Sequence, residues 1–228
     1  LAGPANKQGR IAADNICGGN SRFTGSQGSS VLKLFGLTAA STGINEKAAQ
    51  AAGITYDKVV LFPASHATYY PGAQSMAMKV LYEKESLRLL GAQIVGGDGV
   101  DKRIDVLATA IRAKMTALEL TELDLSYAPP YSSAKDPVNM AGFMIEDLES
   151  EKVQQFHWNE IEDLPCDGSA TLLDVRTAWE YQRGHLDGFR NIPLDDLREH
   201  LDELDRGKPV YVNCQTGLRS YLACRLLT

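Results

Sequence analysis

The sequence predicts an α+β domain over residues 20–148, followed by a smaller α/β unit from about residue 157. Three observations carry this. "SMAMKVLYEKES" and "LRLLGAQIVGGDG" are strand-like runs around a polar turn, the pattern of a hairpin. "DKRIDVLATAIRAKM" sets Ile104, Leu107, Ala108, Ile111 and Met115 on one helical face, with Asp101 as N-cap. After "HWNEIEDL" the pattern changes: "TLLDV" and "PVYVNC" are short apolar runs typical of buried parallel strands, separated by helical segments.

The remaining elements follow in order. "NKQGRIAADNICGG" has helical spacing and a Gly-Gly stop, predicting a helix from about Lys7 to Cys17, and "SRFTGSQGSS" is a loop. "VLKLFGLTAAST" reads as extended structure, "INEKAAQAAG" as a short helix with a glycine end, and "YDKVVLFPAS" as a strand. A short helical piece around "ALELTELDL" leads into "SYAPPYSSAKDP", whose prolines and serines impose an irregular loop, and "NMAGFMIEDLESEK" is a helix. Antiparallel strands with helices on one side make the α+β layer arrangement. In the second unit "TAWEYQRG" and "LDDLREHLDEL" are expected to be helices, and the charged "EDLESEKVQQ" marks the boundary.

Charge is unevenly distributed. From Glu149 onward there are fifteen Asp or Glu against nine Lys or Arg, whereas residues 1–148 carry fourteen of each. Nothing basic is dense enough for a nucleic-acid footprint. No window is apolar enough for a membrane span, and "LAGPANKQGR" lacks the order of a signal peptide. Neither a nucleic acid nor a membrane is therefore expected as a partner. Cys17, Cys166, Cys214 and Cys224 form no CxxC pair and no zinc-like spacing, so no metal site is expected and a reducing cytoplasm suits the chain. Cys17, Cys166 and Cys224 read as small structural residues. There is no GxGxxG or P-loop; "GGDGVDK" only joins a strand to a helix.

"VYVNCQTGLRSYLACRLLT" holds the clearest chemistry. Cys214 ends an apolar strand and precedes a tight loop and a helix start. Backbone N–H groups turned inward there, with the helix dipole behind them, favour a thiolate, the form that reacts. Arg219 closes the loop and could hold an anion with its planar fork. Taken alone, Cys214 could equally be a core cysteine at a strand end.

"LLDVRTAWEYQRGHLDGFRNIP" followed by "VYVNCQTGLRS" resembles the rhodanese sulfurtransferases. The matching positions are Asp174 and Arg176, Glu180 and Tyr181, Gly184, His185 and Gly188, Asn191 to Pro193, and the loop from Cys214 to Arg219. The resemblance implies that Cys214 accepts sulfur as a persulfide held by the loop of Gln215, Thr216, Gly217 and Leu218. It implies too that Arg219 helps hold the anion or donor, that Asp174 and Arg176 brace the loop, and that His185 is structural. Tyrosine phosphatases of the same fold hold phosphate with five residues between cysteine and arginine. The four in "QTGL" favour a single sulfur.

"LAGPANKQGRIAADNI", "HATYYPGA", "LLGAQIVGGDGVDKRIDVLATAI" and "YAPPYSSAKDPVNMAGF" resemble the C-terminal part of the flavoprotein disulfide reductases. The similar branch is that of coenzyme A-disulfide reductases, NADH oxidases and persulfide reductases, and rhodanese fusions occur in it. The resemblance implies the end of an FAD-binding domain in residues 1–19, a homodimerisation domain in 20–148, a linker in 149–156 and a rhodanese-like domain in 157–228. FAD would be bound mainly by sequence expected before Leu1, with Pro4, Ala5 and Asn6 near the flavin at a helix start. The last helix is expected to stop short of a complete rhodanese domain.

NAD(P)H is the implied second cofactor, coenzyme A a substrate, and sulfur donors and thiols the small-molecule partners. Tyr69 and Tyr127 match tyrosines that in that branch reach the partner subunit's active site; packing at a dimer interface is the equal alternative. His66 is expected to be structural. The function expected is reduction of coenzyme A disulfide or of persulfide and polysulfide, coupled to a sulfur-carrying Cys214. The alternatives are an NADH oxidase with an accessory rhodanese domain, and a non-enzymatic sulfur-binding or delivery module.

Overall fold

The computed structural model describes residues 2–228. α1 (Ala2–Ile16) begins five residues before the predicted Lys7 and carries no buried residue. Pro4 is accommodated because the first-turn N–H groups of a helix have no intrahelical partner to lose. The predicted extended run "VLKLFGLTAAST" is two strands, β1 (Ser30–Leu34) and β2 (Leu37–Gly43), paired antiparallel. The chain folds back at Phe35-Gly36, where Phe35 takes φ +51°. A turn through a bulky residue leaves no local sequence signal, since glycine, asparagine or aspartate is the usual occupant.

α2 (Glu46–Ala51) is capped by Asn45, whose side chain accepts from the Ala48 N–H at 2.9 Å. β3 (Tyr56–Leu61), β4 (Met76–Glu83) and β5 (Leu89–Gly96) complete a five-stranded antiparallel sheet ordered β1-β2-β5-β4-β3, with β4 and β5 forming the expected pair. Gly91 is required where it stands, because a Cβ there would collide with the Ile44 carbonyl.

α3 (Val100–Arg112) and α4 (Pro137–Glu149) pack against this sheet, with Ile104, Leu107, Val138, Ala141 and Ile145 meeting Met78, Val80 and Ile94 in one core. Truncating a side chain as enclosed as Leu107 to alanine costs about 2–5 kcal/mol.

The start of α3 corrects one expectation. Gly99, at φ +69°, occupies the N-cap, and Asp101 lies exposed in the first turn. The sequence favoured Asp101 on side-chain chemistry, but the chain must leave β5 through a left-handed residue that glycine adopts without strain. The helical face differs too: Ala108 and Ile111 are half-buried, while Arg103 is only 1% exposed. Arg103 donates to Asp136 Oδ2 at 3.1 Å and to the Ser65 carbonyl at 2.9 Å, and Asp136 caps α4 by accepting from the Val138 N–H at 3.0 Å. One ion pair thereby ties the start of α3 to the start of α4.

The second unit holds β6 (Thr171–Asp174), α5 (Ala178–Gln182), β7 (Arg190–Asn191), β8 (Val210–Asn213) and α6 (Leu218–Leu227). Its parallel sheet runs β7-β6-β8 around a core of Leu173, Val175, Ile192, Leu197, Val212 and Ala223. "LDDLREHLDEL" was expected to be a helix, and folds instead as a 3-10 segment, Leu197–Glu203, with Leu197 its one buried residue. With so little apolar anchorage a short charged run does not sustain regular α-helical turns. Tyr221 Oη donates to Asp147 Oδ2 at 2.8 Å from one unit to the other, and the linker is held by Gln155 Nε2 donating to the Lys58 carbonyl at 2.8 Å and by Arg225 Nη1 donating to the Lys152 carbonyl at 2.6 Å. Among the described residues no helix is long and apolar enough to cross a membrane.

Candidate active site around Cys214

β8 lies beside β6 in the parallel sheet and delivers Cys214 immediately beyond its last residue, Asn213. The chain then turns through Gly217, whose φ of +98° belongs to the left-handed region and lets α6 begin at once. The cysteine sulfur is thus enclosed by the start of its own helix. Cys214 Sγ accepts from the Gly217 N–H at 3.1 Å and the Ser220 N–H at 3.3 Å, and the Ser220 hydroxyl lies 3.5 Å away. Burial by itself pushes the thiol pKa up. The hydroxyl and N–H of Ser220 and the N–H groups of Thr216 and Gly217 outweigh it and hold the value below that of an ordinary thiol. Gln215, Thr216, Gly217 and Leu218 are exposed, so the loop opens to solvent above the sulfur.

Arg219 departs from expectation. Instead of a free fork awaiting an anion, it makes a bidentate pair with Glu180, Nη1 to Oε2 and Nη2 to Oε1, each at 2.7 Å. Glu180 is itself held by a capping box: its Oε2 accepts from the Thr177 N–H at 2.9 Å and hydroxyl at 2.8 Å. Its pKa is driven far below the ordinary carboxylate range by Arg219 first and Thr177 second. Glu180 therefore stays charged and occupies the guanidinium. The spacing T-x-x-E in "TAWE" is a legible signal for the cap, although not for the arginine it engages.

Asp174, at the end of β6, is fully buried and grips Arg176 through Nε at 3.0 Å and Nη2 at 2.6 Å. Arg176 Nη2 also donates to the Gly184 carbonyl at 2.9 Å, and Asn191 Nδ2 donates to the carbonyls of Asp174 and Arg176 at 2.9 and 2.8 Å. His185 stacks on Tyr181 with centroids 3.8 Å apart, and its Nδ1 lies 3.1 Å from the Tyr181 carbonyl. Ser220, whose N–H donates to the Cys214 sulfur and whose hydroxyl lies 3.5 Å from it while donating to the Gly217 carbonyl at 2.8 Å, is the site residue sequence reasoning missed. Its position next to Arg219 in the loop-to-helix turn was the available signal.

In the first domain the structure brings Tyr69 and Tyr127 together, their hydroxyls 2.8 Å apart and both side chains exposed. That hydrogen bond is the main reason the Tyr127 phenol is pushed up. Neither tyrosine is among the residues that line the groove formed by Arg176, Trp179, Glu180, Arg183, Gly184 and Gln215. His66 is buried, with Nδ1 3.1 Å from the Ala67 carbonyl and its ring edge-on to Tyr70. Pro4 borders an open cavity of about 980 Å³ together with Arg22 and Arg112, while Ala5 and Asn6 do not line it. The buried side-chain polar atoms without a partner among the described residues, Gln93 Oε1 and Arg103 Nε, belong to residues outside that cavity. These residues do not by themselves fit an FAD site.

Residues 30–137 match the pyridine nucleotide-disulphide oxidoreductase dimerisation domain, and residues 157–228 match the rhodanese-like domain. The chain thus matches, in order, a dimerisation domain of the pyridine nucleotide-disulphide oxidoreductases and a rhodanese-like domain. Cys214, Arg219 and Glu180 all lie in the rhodanese-like domain, and the Tyr69–Tyr127 pair in the dimerisation domain.

Over its full length the chain is similar to reduced CoADR-RHD of Bacillus anthracis, at 48% identity and a TM-score of 0.93, covering 41% of that chain. The NAD-dependent persulfide reductase of A. fulgidus is 42% identical with a TM-score of 0.87, over 98% of this chain and 40% of that one. The coenzyme A disulfide reductase of Staphylococcus haemolyticus is 41% identical over 149 residues, 65% of this chain and 33% of the relative. The chain spans about a third of the length of the curated relatives it matches.

Proposed function

We propose that this chain forms the dimerisation and sulfur-carrying parts of a cytoplasmic, homodimeric, FAD- and NAD(P)H-dependent reductase of coenzyme A disulfide or of persulfide and polysulfide. The names of the similar proteins motivate the reductase half. The observation that carries the sulfur half is the cradle at Cys214, where Gly217 and Ser220 N–H groups lie 3.1 and 3.3 Å from the sulfur. The same donors that stabilise a thiolate suit the terminal sulfur of a persulfide, which is also an anion.

In the step proposed, the Cys214 thiolate attacks the outer sulfur of a donor such as thiosulfate. A bond forms between Cys214 Sγ and that sulfur, the donor's own sulfur–sulfur bond breaks, and sulfite departs with the electron pair. An acceptor thiolate, coenzyme A in this reading, then attacks the outer sulfur, becomes a persulfide itself and releases Cys214 as thiolate. No proton transfer by His185 is required, consistent with its stacking on Tyr181. Asp174 and Arg176 hold the loop in register, and Tyr69 and Tyr127 are proposed to serve the reductase site as a hydrogen-bonded phenol pair.

The test is direct. The full chain incubated with thiosulfate should gain the mass of one sulfur atom on the Cys214 peptide, coenzyme A should discharge it as coenzyme A persulfide, and Cys214→Ser should show neither. Absence of sulfur on Cys214, or a persulfide that no thiol discharges, would overturn the reading.

A further inference from the structure

The groove beside the cysteine loop is lined by Arg176, Trp179, Glu180, Arg183, Gly184 and Gln215 and has a volume of about 420 Å³. Cys214 does not itself line the groove, but Gln215, the residue that follows it, does. Arg176 and Arg219 are already neutralised, the first by buried Asp174 and the second by Glu180. Arg183 differs: among the described residues it has no carboxylate partner. Its guanidinium carbon instead sits 4.5 Å from the ring centroid of Trp179, which is 64% exposed. An aromatic face steadies a guanidinium without cancelling its charge, leaving N–H groups free for an oxyanion.

The setting makes that charge count. The chain from Glu149 onward carries fifteen acidic residues against nine basic ones, so an approaching anion meets a repulsive surface everywhere that acids are unpaired. At the rim of this groove Arg183 offers a cation that no carboxylate neutralises among the described residues. We infer that Arg183, steadied over Trp179, recruits an anionic sulfur donor of the thiosulfate class to Cys214 and thereby sets donor specificity. This rests on the proposed role of Cys214 as sulfur acceptor. Arg183 holds the oxyanion end while the thiolate takes the outer sulfur, and the departing sulfite keeps the charge that Arg183 had bound. Arg219, expected from the sequence to fill this role, is a loop-positioning residue tied to Glu180.

Two readouts on the full chain test the inference. Steady-state sulfur transfer from thiosulfate gives kcat and KM. Alkylation of Cys214 by iodoacetate and by iodoacetamide, followed on the Cys214 peptide, compares an anion with a neutral probe of nearly the same shape. Arg183→Gln should raise KM for thiosulfate roughly tenfold with little change in kcat, the scale of one charge-assisted contact. It should lower the iodoacetate-to-iodoacetamide rate ratio in the same direction, and Arg183→Lys should retain most of both. Unchanged KM and an unchanged ratio in Arg183→Gln would overturn the inference even if Cys214 takes up sulfur. A fallen ratio in a protein that takes no sulfur from thiosulfate would leave anion recruitment standing and sink the sulfur-acceptor reading instead.

Discussion

The Tyr221 hydroxyl donates to Asp147 Oδ2 at 2.8 Å, fastening the helix that begins at the cysteine loop to the end of α4 in the other domain. Asp147 also holds Lys152 at 3.0 Å, and the Lys152 carbonyl accepts from Arg225. Tyr221→Phe should loosen the docking of α6 by about 1 kcal/mol, the net worth of one such hydrogen bond. Asp147→Ala should loosen it more, because it also strands Lys152. Hydrogen exchange of the α6 amides measures both; exchange unchanged in Asp147→Ala would place the docking elsewhere.

Glu180 and Arg219 predict a charge effect on the thiol. In Glu180→Gln the amide oxygen can still accept from Thr177, so α5 keeps its cap, but Arg219 loses its neutralising partner. The uncompensated guanidinium should then stabilise the Cys214 thiolate further and shift its alkylation profile to lower pH. A shift to higher pH would show that the pair matters chiefly for loop geometry.

Cys214 and Cys224 should separate on a pH titration with iodoacetamide. The reactive thiolate is present above each thiol's pKa; Cys214 is held below the ordinary thiol value, whereas burial first and the Cys214 charge second push Cys224 up. Cys214 should therefore react with a midpoint below that of an ordinary thiol and Cys224 only at higher pH. Ser220→Ala removes the hydroxyl contact and should raise the Cys214 midpoint while the N–H groups stay in place. Coincident profiles for the two cysteines would contradict the cradle.

Glu46 predicts acid sensitivity in the first domain. Burial opposes its ionisation, but the ammonium groups of Lys58 and Lys79, 2.5 and 2.7 Å away, outweigh it and hold the carboxyl at about 2. Because the folded value lies below the unfolded one, this stabilisation is complete above about 4.5 and is lost as pH falls toward 2. It is worth on the order of 2 kcal/mol. Chemical denaturation of Glu46→Gln against pH should show lower stability near neutrality and a flatter decline between those values.

What was legible in the sequence is what neighbouring residues decide. Runs such as "MAMKVLYE" and "LLGAQIVG" read as strands because period and β-branched content act within a few residues, and the loop from Cys214 to Gly217 reads as a cradle because strand, turn and helix start are contiguous. The same local signals explain why the helices α3 and α4 and the short apolar strands β6 and β8 were anticipated. The turn at Phe35-Gly36 and the Gly99 cap escaped, since each is imposed by strands that must pair or leave the sheet in a given direction.

By itself the sequence determined that Cys214 stands at a strand end before a helix and that a second, acidic α/β unit follows the first domain. Only the tertiary structure decided which charges are free. Arg219 meets Glu180 across 39 residues, Arg103 meets Asp136 across 33, and Tyr221 meets Asp147 across 74. Such pairings depend on where whole elements come to rest, and local propensity carries no information about that. They are also what leaves the loop's own arginine paired with Glu180, while Arg183 in the neighbouring groove has no carboxylate partner among the described residues.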